Sequence, residues 1–307
     1  MVTKDTFYCL PSCSVDATQL EAVDIALLGI PHATSYDGNI SHSAGAPQSI
    51  RAVSCKYPDE IDHYDFDLEG SLLTDNAVRV VDCGDLPGDP KDPEGNVKRI
   101  VTAVKTILGA GAVPVILGGD DSVPIPFFSA FEDKDQITIV QIDAHIDWRH
   151  EVHGVTRGYS STMRRASEMP WIEKIVQAGM RGVGSARAQE VADARAYGAV
   201  LVTAKEIAAN GVQAVLDHIP AGSPCILTID CDGLDPSVMP AVMAPSPGGL
   251  TYQQVIDIIH AIPKVGKFVG FDLVEFAPQK DVGNLGAITA SRIVCNVIGT
   301  LARHYFK

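Results

Sequence analysis

Two short segments of the chain carry acidic residues and a histidine at alternate positions. The segment QIDAHIDWRH contains Asp143, His145 and Asp147, and the segment LTIDCDGLDP contains Asp230 and Asp232. Alternate residues of an extended strand share one face, so we expect each set to project to the same side. Carboxylates held this close together are unfavourable unless a cation neutralises them. The two segments therefore predict a metal site.

Further acidic residues fall at the ends of other apolar runs. Asp121 belongs to the sequence GGDD, and Glu275 follows the run KFVGFDLV. A lone acidic pair is more often a turn or a helix cap. Several pairs at strand ends indicate one shared site, because ligands bind outside the carboxyl ends of parallel strands. The excess of carboxylates predicts two divalent ions that activate a water molecule, with Mn²⁺ favoured and Ni²⁺ as an alternative.

The elements that must position these residues are short β-branched apolar runs that alternate with longer amphipathic stretches. Most runs are apolar on both faces, which is typical of strands covered by helices on each side. We therefore predict a single three-layer α/β/α domain over residues 1–307 with a mainly parallel sheet of about eight strands. The predicted strands are 23–30, 78–82, 113–118, 137–143, 174–180, 199–203, 225–231 and 267–273. The predicted helices are 46–55, 95–109, 122–131, 160–168, 186–197, 204–218, 251–262 and 285–303.

Composition excludes some classes of partner. A net charge of -14 is unsuitable for binding nucleic acid, whose phosphates require a basic surface. We expect no membrane span, since we find no apolar stretch near the ~18 residues required. The first residues lack the apolar region of a secretory signal, and we predict a cytoplasmic protein.

The seven cysteines show no paired spacing. Four of them fall within apolar segments, where a thiol behaves as a small hydrophobic side chain; they are Cys83, Cys225, Cys231 and Cys295. We interpret the cysteines as reduced residues, in keeping with a cytoplasmic protein. A zinc pair formed by Cys9 and Cys13 is the alternative, but it lacks a second pair.

Taken together, these segments resemble the ureohydrolase family of arginases and agmatinases, and its agmatinase-like branch in particular. The resemblance covers nearly the whole chain and rests on SHSAGAPQSIR at 41–51, GGDD, DAHID, HG at 153–154, STMRRASEM at 161–169, TIDCDGLDP and DLVEFAP at 272–278. It implies metal-dependent hydrolysis of a small cationic guanidino compound with release of urea, agmatine to putrescine and urea foremost. It also implies a homo-oligomer, either a trimer or a hexamer.

The resemblance implies a role for each metal-site residue. Asp143 and Asp230 would be bridging ligands, and His145 and Asp232 would bind one metal. Asp147 would be a ligand that also holds the attacking hydroxide.

Asp121 departs from the family pattern, because it stands where the family usually has histidine. One metal site would then be entirely oxygen-ligated, which keeps a hard metal possible but alters affinity and preference.

Two further residues would act on the substrate. The resemblance implies that His153 relays a proton and that Glu275 accepts hydrogen bonds from the guanidinium. A surface histidine and a helix-capping or loop ion pair are the respective alternatives, and His150 is a weaker candidate for the relay. His42 and Tyr159 could border the pocket.

Other functions stay open on the sequence alone. The substrate could be a guanidino acid, free guanidine or a biguanide; a carboxylate tail would need a cation such as Arg149 or Arg157. The chain could also be a non-catalytic subunit, metal-poor through Asp121, that partners an active paralogue. Deacetylation on a similar scaffold is disfavoured because the ligand set for two metals looks complete.

Overall fold

A computed structural model describes residues 5–34, 36–55, 60–73, 78–134 and 136–306. Eight strands form one sheet in the order β2-β1-β3-β8-β7-β4-β5-β6, and every pairing between neighbours is parallel. The strands are β1 Ile25–Ile30, β2 Val80–Asp85, β3 Val113–Gly118, β4 Ile137–Ile142, β5 Ile172–Met180, β6 Val200–Thr203, β7 Pro224–Asp230 and β8 Lys267–Val274. The predicted parallel α/β sheet is confirmed.

Helices cover both faces of the sheet. They are α1 Ala46–Ser54, α2 Pro93–Gly109, α3 Pro124–Ser129, α4 Thr162–Ala166, α5 Ala188–Tyr197, α6 Ala204–Asn210, α7 Gln213–Leu216, α8 Tyr252–Val265 and α9 Leu285–Tyr305. Short 3-10 helices lie at Phe7–Cys9, Tyr36–Gly38, Glu60–Asp62, Cys231–Gly233 and Pro278–Lys280. The helix predicted at 204–218 is divided into α6 and α7, because Gly211 ends α6 with a φ of 72°.

Alternate residues of each strand enter two separate cores. On β1, Ile25 and Leu27 pack into the core that contains α1, α8 and α9, whereas Ala26 and Leu28 pack into the core that contains α2 and α3. This two-sided burial explains why the strands are apolar without alternation.

Helix α9 is long and apolar enough to cross a membrane by length and composition alone. The expectation that no segment of the chain reaches this limit was therefore wrong. However, 83% of its most apolar window is buried inside the fold, where it packs against α1 and α8. Helix α9 is therefore a core helix, and Leu285 and Ile288 at its start are its exposed large hydrophobic residues in the described part of the chain.

Asp272 is a carboxyl group buried within the sheet, on β8. Thr228 on β7 donates a hydrogen bond of 2.7 Å to Oδ1, while Oδ2 has no hydrogen-bond partner among the described residues. Burial raises the pKa of Asp272 from 3.8 to about 8. Ionisation of this group therefore opposes folding at alkaline pH.

We expect Asp272→Asn to be more stable than the wild type at pH ~9, and the difference to shrink as the pH falls towards ~5. Folding raises the pKa of Asp272, so the wild type has its full stability at pH values below the unfolded pKa of this group. That stability is lost as the pH rises through about 8. Urea denaturation across this pH range measures the difference. The control is Asp257→Asn, which removes an exposed carboxylate of α8. A gap that is the same at every pH would contradict this assignment.

Candidate metal centre

The acidic segments leave their strands earlier than the sequence predicted. Strand β4 ends at Ile142, and Asp143 accepts the N–H of His145 on its own Oδ1 at 2.6 Å. Strand β7 ends at Asp230, whose Oδ1 accepts the N–H of Asp232 at 2.8 Å. The prediction that each acidic segment continues as an extended strand with its acids on one face was therefore wrong. Aspartate side chains compete for the backbone N–H groups and form turns instead.

Five of the six predicted ligands lie in two clusters. Ligand atoms of Asp143, His145 and Asp232 lie within 4.8 Å of one another, and so do those of Asp121, Asp143 and Asp147. Asp143 belongs to both clusters. Such an arrangement suits two neighbouring divalent ions that share a carboxylate.

Neighbouring groups orient the shared ligand and the histidine. The Gln141 side chain donates a hydrogen bond of 2.6 Å to Oδ2 of Asp143. The Nδ1 atom of His145 lies 3.2 Å from Oδ2 of Asp232, and this hydrogen bond raises the pKa of His145. The contact from Gln141 comes from outside the ligand set and orients the Asp143 carboxylate before an ion binds.

The two ligand clusters carry more negative charge than the neighbouring side chains neutralise. Burial, followed by repulsion from neighbouring carboxylates, raises the pKa of Asp121, Asp143 and Asp230 well above the usual range. Both side-chain oxygens of Asp121 are buried and lack a hydrogen-bond partner in the described residues. A cation beside Asp121 would satisfy them, so the donor set fits metal binding.

Glu275 lies directly after β8, in the left-handed region with a φ of 65°. Its N–H donates to the carbonyl of Gly119 at 2.9 Å, and its Oε1 accepts the N–H of Asp121 at 2.9 Å. Its Oε2 contacts Nε2 of His42. The carboxylate is therefore held at the edge of the acidic cluster.

His42 contacts a proposed substrate-binding residue, whereas the sequence indicated only that it could border the pocket. It lies 233 positions from Glu275 along the chain, and its ring also packs edge-on against Tyr159, with centroids 5.8 Å apart. The contact with Glu275 raises the pKa of His42, although burial opposes the shift. Its only signal in the sequence was its position in the SHSAG loop.

A cavity of about 350 Å³ opens over the cluster. Its lining includes Asp147, Asp230, Asp232 and Glu275 but, among the described residues, no lysine or arginine. Asp230 faces this cavity without joining either ligand cluster.

His153 is not brought to this cavity. It is exposed in the loop after Val152, with a φ of 52°, and it is absent from the described lining. Its role as a proton relay stays a prediction. His150, the weaker candidate for the relay, has its Nδ1 atom 3.3 Å from Nη2 of Arg165.

The parallel sheet, with acidic clusters at its carboxyl edge, defines an α/β protein with a site suited to two metal ions. The family model of the Arginase family matches residues 23–299, and the chain belongs to this family. It is therefore an arginase-family hydrolase, and the family depends on two metal ions.

Relatives with different substrates are equally similar to the chain. It is 29% identical to an agmatinase of Pyrococcus horikoshii over 92% of this chain and 94% of that protein. It is also 29% identical to a guanidinobutyrase of Pseudomonas aeruginosa over 93% of this chain and 90% of that protein. The solved proclavaminate amidinohydrolase of Streptomyces clavuligerus superposes with a TM-score of 0.81 at 26% identity, covering 98% of each chain.

Proposed function

We propose that this chain hydrolyses agmatine to putrescine and urea with two divalent ions, Mn²⁺ in the first place. The observation that carries the choice of substrate is the cavity, whose described lining holds no lysine or arginine that could bind an anionic tail. A substrate with a cation at both ends suits such a cavity. The proposed ligands are Asp121, Asp143, His145, Asp147, Asp230 and Asp232.

Two divalent ions held by these residues would lower the pKa of a bound water molecule towards ~7 and so would supply hydroxide at neutral pH. The chain's own groups do the remaining work. Glu275 binds the guanidinium and fixes its orientation, for which a planar carboxylate is suited. Asp147, whose carboxylate lines the cavity, takes the proton of the attacking group. His153, which lies outside the described cavity lining, would pass a proton to the departing amine only after its loop moves towards the cavity.

A carboxylate-tailed substrate is less suitable for this cavity. Arg149 is the first candidate to bind such a tail, but its Nε atom lies 3.1 Å from Oε1 of Glu190 and forms an ion pair there. Arg157, the second, lies 3.3 Å from Glu94. Neither arginine is part of the described cavity lining. A carboxylate tail would therefore find no lysine or arginine in the described lining to pair with.

A pair of substrates that differ mainly in tail charge tests the proposal. We expect kcat/KM for agmatine to exceed that for 4-guanidinobutyrate by at least roughly 10-fold, because the described lining offers a carboxylate tail no lysine or arginine. Urea release from the Mn²⁺-loaded protein measures both values. A preference for the guanidino acid would overturn the choice of substrate. No urea from a panel that also includes guanidine and a biguanide would overturn the proposed reaction.

His42 gives a second test of the same cavity. We expect His42→Ala to lower kcat/KM for agmatine by roughly 10-fold, because Oε2 of Glu275 loses the contact that fixes it. His42→Gln retains a donor and should keep most of the activity. Steady-state kinetics with both variants measures the effect, and metal content should not change. Equal kinetics in His42→Ala and the wild type would remove His42 from the site.

Assembly and location complete the proposal. We infer a homo-oligomer, as the family resemblance implies, in the cytoplasm. The buried faces of α9 serve the chain's own core, so a subunit contact at this helix would involve its exposed start.

A further inference from the structure

The seven cysteines divide by exposure. Cys225, Cys231 and Cys295 are buried, and the other four are partly exposed. Each of these four lies against another cysteine; the two pairs are Cys9 with Cys55 and Cys13 with Cys83. The spacing along the chain gave no sign of these pairs, because each joins the N-terminal segment to a distant element.

The sulfur atoms of Cys9 and Cys55 lie 3.3 Å apart. Cys9 ends the 3-10 helix Phe7–Cys9, and Cys55 directly follows α1. A disulfide requires a sulfur separation of ~2.05 Å, so the two atoms need to approach by little more than an ångström.

The backbone around Cys9 is fixed in a way that favours this approach. The N–H of Tyr8 donates to the hydroxyl of Ser54 on α1 at 2.8 Å. The N–H of Phe7 donates to Asp82 on β2 at 2.7 Å. Tyr8 and Cys9 both have positive φ angles, 51° and 53°, which side chains other than glycine adopt when their surroundings hold them. The segment is therefore held against α1 before any covalent bond forms.

We propose that Cys9 and Cys55 form a reversible disulfide when the protein meets a peroxide, and that this bond locks the N-terminal segment to α1. One thiolate attacks hydrogen peroxide, which forms a sulfenic acid and releases water once hydroxide takes up the thiol proton. The second thiol then displaces the sulfenic oxygen, which leaves as a second water molecule. Both sulfurs are oxidised, and the two peroxide oxygens are reduced. A dithiol reductant restores the pair.

The second pair is a matched comparison. Burial raises the pKa of the Cys83 thiol to about 12, and the thiolate is the reactive form. The Sγ atom of Cys13 also donates to the carbonyl oxygen of Ser14 at 3.3 Å. We expect the pair Cys9–Cys55 to oxidise first, because its sulfur atoms already lie 3.3 Å apart on a segment held against α1.

Peptide mapping without reductant tests the proposal on the full chain. After limited treatment with hydrogen peroxide, the wild type should yield a peptide that joins Cys9 to Cys55. Closing the loop between these residues should raise the thermal midpoint by roughly 5 °C, and dithiothreitol should reverse the rise.

Three variants sharpen the result. Cys9→Ser and Cys55→Ser should each lose both the linked peptide and the rise in midpoint, whereas Cys13→Ser should keep both. Oxidised wild type with no such peptide, or with Cys9 joined to Cys13 or to a second chain, would overturn the proposal. The mapping uses the wild type, so it decides the question even if a serine variant fails to fold.

Discussion

Asp121→Ala should bind about one divalent ion per chain where the wild type binds two, and its rate of urea release should fall roughly 100-fold or more. Asp121 is buried at the base of the cluster, and both of its side-chain oxygens lack a hydrogen-bond partner among the described residues. Its ligand atom lies within 4.8 Å of those of Asp143 and Asp147. Removing it takes away a donor that nothing else in the cluster replaces. Elemental analysis after Mn²⁺ incubation measures the loss.

Two further variants separate ligation from folding. Asp121→His should keep two ions and shift the preference towards metals that accept imidazole. Asp120→Ala is the matched control, because Asp120 is equally buried but accepts the N–H of Ser122 at 3.1 Å. It should cost about 1 kcal/mol of stability and no metal.

The metal-free proteins give a measurement that does not depend on activity. The pKa of Asp121 is raised in the folded state, chiefly by burial, so its ionisation opposes folding as the pH rises. Without metal, Asp121→Ala should therefore be more stable than the wild type at neutral pH. A variant that keeps two ions and full activity would remove Asp121 from the site. A wild type that binds no metal after Mn²⁺ incubation, while folded, would favour a non-catalytic subunit.

The second large effect is expected at Glu275. Glu275→Gln should lower kcat/KM for agmatine by roughly 100- to 1000-fold while leaving the metal content unchanged. The amide oxygen of glutamine can still accept the N–H of Asp121, which Glu275 does at 2.9 Å. The loss would therefore reflect the missing charge opposite the guanidinium.

Steady-state kinetics and elemental analysis on the same sample measure both quantities. Glu190→Gln is the control, because Glu190 pairs with Arg149 at 3.1 Å and is not part of the described cavity lining. Unchanged kinetics in Glu275→Gln would exclude this residue from substrate binding. Loss of metal in the same variant would assign it to the metal centre.

The sheet was predictable because most of its strands are buried on both faces. The run ITIVQI of β4 contains no exposed residue, and its β-branched apolar composition is typical of a central strand. The convergence of acids at strand ends followed from the same pattern, since parallel strands place their carboxyl ends at one edge. The local geometry did not follow: Asp143 turns the chain by accepting the N–H of His145, and the sequence cannot rank that bond against an extended strand.

Contacts between residues far apart in the chain could not be predicted from the sequence either. His42 meets Glu275 and Cys9 meets Cys55 because loops between elements bring them together. A hydrophobic period identifies the faces of helices and strands, but a single polar residue in a loop has no period.

The hydrogen bond from the N–H of Asp121 to Oε1 of Glu275 joins the proposed metal centre to the proposed substrate carboxylate. A change in position on one side is transmitted to the other through a single peptide unit. Binding of metal and binding of guanidinium are then thermodynamically linked, and the linkage is reciprocal. Whatever factor the ion applies to the affinity for substrate, the substrate applies to the affinity for the ion, so metal affinity measured with and without bound substrate gives the coupling between the two sites.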